Sequence, residues 1–169
     1  MVAALLFCGM DLYDALVHMF GAAGTGGFGT YADSIAHFNS AAVDIVVGVF
    51  MALFGVNFSI YYFLIRRNWK AAFGNSELRW YLGILLSVSC IIAVNIMPMY
   101  GGNFLTSLRY SFFQCSSIMT TTGYATADFD LWPQLSRVLL VTLMFIGASA
   151  GSTGGGLKVV RVQLLLKSM

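Results

Sequence analysis

Charge is what this sequence has least of. Asp, Glu, Lys and Arg make up 9% of its 169 residues, against about 25% in a soluble domain. That excludes an ordinary soluble fold and makes the chain an integral membrane protein with the lipid bilayer as its main surrounding. The net charge of +2 comes with no separate basic block, which excludes nucleic acid as a partner. Cysteine is scarce as well. Cys8, Cys90 and Cys115 stand singly in apolar stretches, too scattered for a disulfide framework or a metal site, and read as small core residues. No Lys or Arg precedes the apolar run at residues 2–10, so it makes a poor signal peptide. It is also shorter than the roughly 20 residues a span needs. Its simplest reading is the end of a transmembrane helix in a fragment of a longer protein.

What fills the chain instead is hydrocarbon: 59% hydrophobic residues and a mean hydropathy of +0.80. Residues 11–23 predict a short helix, capped by Asp11 or Asp14, with Leu12, Leu16, Met19 and Phe20 on one face. It runs straight into a glycine-rich stretch, the pattern of a re-entrant pore segment; an amphipathic surface helix is the alternative. Residues 30–44 predict a polar connection, with Asp44 at a helix end. Residues 45–65 carry no charge and predict the first complete span. Arg66, Arg67, Lys70 and Arg79 follow it and mark that end as cytoplasmic.

Residues 80–97 return across the membrane to an outer turn at Pro98, Gly101 and Gly102. Residues 104–119 predict a second short helix leading into another polar loop. Residues 135–147 begin a third membrane helix, which residues 147–156 interrupt before Lys158, Arg161 and Lys167. Asp11, Asp14, Asp33, Asp128 and Asp130 fall on the outer side, where acids concentrate cations. Arg109 and Arg137 run against that segregation.

Shifting the chain by 96 residues pairs Thr25 with Thr121, Gly27 with Gly123, Phe28 with Tyr124 and Thr30 with Thr126. The same shift pairs Leu12 with Leu108 and Gly55 with Gly151. Identity elsewhere is poor, but the order of elements repeats: short helix, glycine loop, acidic turn, long helix, basic end. Internal repeats build many transport proteins.

The two loops, at 24–30 and 120–126, have a chemistry that suits a dehydrated cation. Carbonyls replace its water, glycine permits the backbone conformations this needs, and threonine hydroxyls add oxygens. A helix aimed at the loop points its partial negative end the same way. A pair of external turns is the alternative. Gly24, Gly26 and Gly29 spell a dinucleotide fingerprint, but no β-strand precedes them, so that reading fails. The stretch at 147–156 (Gly147, Ala148, Ser149, Ala150, Gly151, Ser152, Thr153, Gly154, Gly155, Gly156) holds too much glycine for a stable helix. It reads as a flexible gate beneath the loops, with a cytoplasmic linker as the alternative. His18 and His37 read as helix-face and loop residues. Lys158 and Arg161 read as snorkelling anchors at the inner basic end, with a barrier to cations as a lesser role.

Taken together, TGGF, TTTGYAT and above all GASAGSTGGGLKVVRV resemble the TrkH/KtrB superfamily of bacterial potassium uptake proteins. The resemblance covers essentially the whole chain. It implies an all-α membrane protein of two tandem membrane helix–pore helix–filter loop–membrane helix units, half of a four-unit pore. Residues 1–66 match a second unit with a truncated first helix, 67–79 a cytoplasmic loop, and 80–169 a third unit. Thr25, Gly26, Gly27 and Phe28, with Thr121, Thr122, Gly123 and Tyr124, are then K+ filter residues, and 147–156 the intramembrane gating loop. The resemblance also implies a multi-pass protein of the bacterial inner membrane, without enzymatic activity or a cofactor beyond the transported K+. It implies a homodimer on a cytosolic TrkA-like nucleotide-binding regulatory subunit. A symporter coupled to Na+ or H+ is the alternative, as is a structural membrane anchor; half a ring is not expected to conduct alone.

Overall fold

The computed structural model describes residues 1–168, and among them the chain is helical with no β-sheet. Helix α1 (Val2–Phe7) leads into α2 (Leu12–Ala23). Asp11 occupies the N-cap position of α2 without making a side-chain cap bond, so the expected capping is absent. A single-turn 3-10 segment (Ser34–Phe38) follows, then α3 (Ala41–Phe54) and α4 (Phe58–Ile65).

This pair corrects the expectation of one complete span over residues 45–65. The helix breaks after Phe54 and turns through 94°. Gly55 ends α3, and the Asn57 side chain accepts from Ser59 N–H to start α4. Both the room at Gly55 and the bonding at the break come from segments far along the chain.

Residues 67–79, expected as a loop, contain α5 (Trp69–Phe73) and the first turn of α6 (Ser76–Ile96). With the turn that follows, α6 runs as an apolar helical stretch from Ser76 to Tyr100, 25 residues, long enough to cross a bilayer. Then come α7 (Phe104–Met119), α8 (Gln134–Phe145) and α9 (Val159–Ser168). Asparagine starts four of these elements. Asn57, Asn68, Asn75 and Asn103 each accept backbone N–H groups of the first turn of α4, α5, α6 and α7, which is worth about 1 kcal/mol per cap.

Helix α7 is the centre of the packing, against α3 on one side and α6 and α8 on the other. Ser107, Ser111 and Cys115, one turn apart and buried, let its neighbours approach closely. Tyr81, Leu85, Ile92, Met119 and Leu140 form one apolar core around α6. Leu5, Val47, Met51, Phe113 and Tyr124 form a second around α2 and α3. Of the cysteines only Cys115 is a core residue; Cys8 is half-buried and Cys90 exposed.

Asp44, expected at a helix end beside a polar connection, lies in the first turn of α3, but is buried. Its carboxylate faces the Arg109 guanidinium of α7 at 3.4 Å, and Arg109 also lies over the Tyr110 ring. The exterior presents Ile45, Val49, Leu53, Leu86, Val94, Val138 and Val141, an apolar coat that suits lipid.

Candidate functional site

The two short helices α2 and α7 end in the same hydrogen-bonded cap. At the end of α2, Gly24 N–H donates to Phe20 O (2.9 Å), Thr25 N–H to Ala22 O (3.2 Å), Gly26 N–H to Gly21 O (2.8 Å) and Gly27 N–H to Gly21 O (3.4 Å). At the end of α7, Thr120 N–H donates to Ser116 O (3.0 Å), Thr121 N–H to Ile118 O (3.0 Å), Thr122 N–H to Ser117 O (2.9 Å) and Gly123 N–H to Ser117 O (3.4 Å). Every bond of the first set recurs 96 residues later. This is a Schellman cap, which uses up the last carbonyls of a helix.

Such a cap needs a left-handed residue where the chain leaves the helix, usually glycine. Here threonine fills it twice: Thr25 at φ 50° and Thr121 at φ 59°. A β-branched residue is strained there by about 1–2 kcal/mol. Each hydroxyl turns back to the preceding carbonyl, Thr25 Oγ1 to Gly24 O at 2.8 Å and Thr121 Oγ1 to Thr120 O at 2.6 Å. The same left-handed conformation is thus kept at the same place in both copies.

The two loops then meet. Gly27 has φ +66°, and a Cβ there would overlap the carbonyl oxygen of Thr122. Gly123 has φ +87°, and nothing lies within 4 Å of where its Cβ would stand. The Tyr124 hydroxyl donates to Phe28 O (2.7 Å), its counterpart in the repeat, while Ser117 Oγ holds Tyr124 O (2.6 Å). Ala125 pairs with the first copy through Ala36 N–H and Ser34 Oγ, each at 3.2 Å. The Tyr124 ring is buried, whereas Phe28 is 78% exposed.

Behind the first loop His18 is wholly buried, with Nδ1 2.7 Å from Asp14 O. The Asp14 carboxylate accepts from Thr30 Oγ1 (2.7 Å) and Tyr31 OH (3.2 Å). The negative charge of Asp14, and then the bond itself, raises the Tyr31 phenol above its ordinary pKa. His37 stacks on Tyr31.

Residues 147–156 fold as an irregular segment against both loops. Thr25 Oγ1 lies 3.0 Å from Thr153 O, and Gly155 N–H donates to Thr121 Oγ1 at 2.7 Å. The two strained threonines therefore both touch this segment. Its other side docks on the α3–α4 break: Ser149 N–H donates to Gly55 O (3.0 Å), and Phe58 N–H to Gly151 O (3.1 Å). Gly154 has the Ala148 Cβ and the Thr120 carbonyl against it, and Gly147 the Gly155 carbonyl. Gly151 and Gly156 take φ +70° and +71°. Ala148 and Ser149 are wholly buried, and Ala150 N–H donates to the Glu77 carboxylate.

A profile of the TrkH family, described as cation transport protein, matches residues 7–99 and 103–169. The chain belongs to this family. It is 37% identical over 167 residues to the Trk system potassium uptake protein TrkH of Escherichia coli K12, covering 97% of this chain and 34% of that protein. It is 36% identical over 160 residues to TrkG of the same organism, covering 94% and 33%. The crystal structure of the potassium transporter TrkH from Vibrio parahaemolyticus superposes with a TM-score of 0.90 at 31% identity, covering 98% of this chain and 36% of that one. The chain thus spans about a third of the length of these TrkH-family relatives.

Within this TrkH-family chain the two basic residues expected at the inner end divide. Lys158 Nζ donates to Gly154 O, so it engages the irregular segment instead of standing free as an anchor. Arg161 is exposed on α9. Two residues of the site escaped sequence reasoning. Asn57 was hidden in an apolar run, and Glu77 lay in the expected loop. Glu77 Oε1 accepts Ala150 N–H at 2.6 Å. The available signal is that Glu77 is the chain's only glutamate, set between Lys70 and Arg79.

Proposed function

We propose that the chain works as part of a longer transporter that passes K+ across the membrane. The loops at 24–30 and 120–126 are two segments of one carbonyl-lined filter, and residues 147–156 are its gate. The observation that carries the reading is the identical cap geometry at a 96-residue shift, with Gly27 seated against the carbonyl of Thr122. Two like helix ends aim their partial negative poles at one place, and the space beside Gly123 is open. The Phe28–Tyr124 difference supports a ring. Tyr124 is buried because the neighbouring copy supplies its pocket; Phe28 occupies the same repeat position and is exposed for want of such a neighbour. Two further loops of this kind close the ring, so this chain does not conduct alone.

The names of the relatives, Trk system potassium uptake proteins, support K+ as the ion, with the filter acting through Thr25, Gly26, Gly27 and Phe28 and through Thr121, Thr122, Gly123 and Tyr124. The transporter is a multi-pass protein of the bacterial inner membrane. Its basic inner surface at Arg66, Arg67, Lys70, Arg161 and Lys167 faces a cytosolic nucleotide-binding subunit, beneath a homodimer. Replacing Gly123 with serine in the full-length transporter tests the reading through K+ uptake and Na+ discrimination. Discrimination falls at least tenfold, about 1.4 kcal/mol of lost selectivity. Unchanged flux and selectivity would overturn the assignment, and flux that followed an imposed Na+ or H+ gradient would move the protein to the coupled transporters.

A further inference from the structure

We infer that Glu77 is the positioning residue that retains the 147–156 segment against the two loops. The inference rests on the reading of that segment as a gate and names what holds it. Glu77 sits in the first turn of α6, where the Asn75 side chain caps the helix by accepting from Glu77 N–H and Leu78 N–H. Its side chain is 8% exposed. Oε1 accepts Ala150 N–H at 2.6 Å, and Oε2 lies 3.5 Å from Asn57 Nδ2. One carboxylate therefore touches both the segment and the residue that starts α4 at the break.

The other bonds along this edge of the segment are neutral backbone pairs, Ser149 to Gly55 and Phe58 to Gly151. Such bonds are weak individually, whereas a short bond to an ionised acceptor is about twice as strong. Asn57 is also close to Gly151: a Cβ on Gly151 would stand 3.2 Å from Asn57 Oδ1. Residues 149–151 are thus clamped in a notch whose walls are Gly55, Asn57 and Glu77. The segment cannot leave Thr25 and Thr121 as a unit without breaking the bond to Glu77. Loss of a bond to a charged acceptor shifts the balance between docked and undocked segment by roughly ten- to a hundredfold.

The test uses the full-length transporter in vesicles, with Glu77→Ala and Glu77→Gln. The readouts are K+ flux without any activating ligand, the half-saturating K+ concentration, and K+ against Na+ discrimination. Basal flux rises about tenfold in Glu77→Ala, while half-saturation and discrimination stay as in the wild type. Glu77→Gln keeps an oxygen for Ala150 N–H and falls between the two. If the alanine variant does not assemble, the glutamine variant carries the comparison. Basal flux that is unchanged or lower overturns the inference. So does a rise accompanied by lost discrimination, because the loops and not the segment would then have moved. An unchanged flux here beside the expected selectivity loss in Gly123→Ser sinks the role of Glu77 and leaves the filter reading standing.

Discussion

Replacing Gly27 with alanine should abolish K+/Na+ discrimination in the full-length transporter, and should do so more completely than the same change at Gly123. Both glycines have a left-handed backbone, at φ +66° and +87°, so alanine at either is strained by about 1–2 kcal/mol. The surroundings separate them. At Gly123 the added methyl points into open space, whereas at Gly27 it overlaps the carbonyl oxygen of Thr122 in the other loop. A single methyl at Gly27 therefore displaces carbonyls of both copies. Uptake of Na+ and K+ by the two variants checks this. Discrimination that survived in Gly27→Ala, or fell more in Gly123→Ala, would contradict the close seating of the loops.

The second large effect is expected at Gly55, and it is one of stability. The backbone there is ordinary, with φ −74° and ψ −10°, so conformation does not require glycine; space does. A Cβ would overlap the Tyr81 hydroxyl and come within 2.7 Å of the Thr120 methyl. Tyr81 has no easy retreat, because it is wholly buried and its hydroxyl donates to Ala52 O at 2.9 Å. Gly55 also presents the carbonyl that receives Ser149 N–H. Gly55→Val should destabilise the protein by about 1–3 kcal/mol through overpacking, lower its melting temperature and loosen residues 149–151. Gly83 is the control: it lies within α6 with nothing within 4 Å of its Cβ position, so Gly83→Ala should gain up to about 1 kcal/mol of helix propensity. Equal melting of Gly55→Val and wild type would remove the packing account.

Sequence reasoning succeeded where the signal was local. The helices at 12–23 and 104–119 announce themselves by apolar spacing and stop at glycine or threonine, and the two glycine- and threonine-rich loops align at a 96-residue shift that their hydrogen bonds repeat. It failed where the cause was remote. Residues 45–65 carry no charge and look like one span, yet the break at Gly55 is completed by Tyr81, Thr120, Ser149 and Gly151, none of them near in sequence. Asp44 stands at the helix end where the sequence puts it, but its burial against Arg109 of α7 has no local signal. Glu77 opens α6 under the Asn75 cap, and its partner, Ala150 N–H, lies 73 residues further along, out of reach of a local reading. Phe28 and Tyr124 are equivalent in the repeat and opposite in burial; Tyr124 packs against His18 and bonds to Phe28 O of the first copy, contacts that no local pattern announces.

The central claim is that the two loops line one cation pathway. Its most direct test is a crystal structure of the full-length transporter grown in Tl+ in place of K+. The anomalous signal should lie on a single axis, within coordination distance of backbone carbonyls from both 24–30 and 120–126 and beside the open face of Gly123. Tl+ bound elsewhere, with none between the two loops, would contradict it.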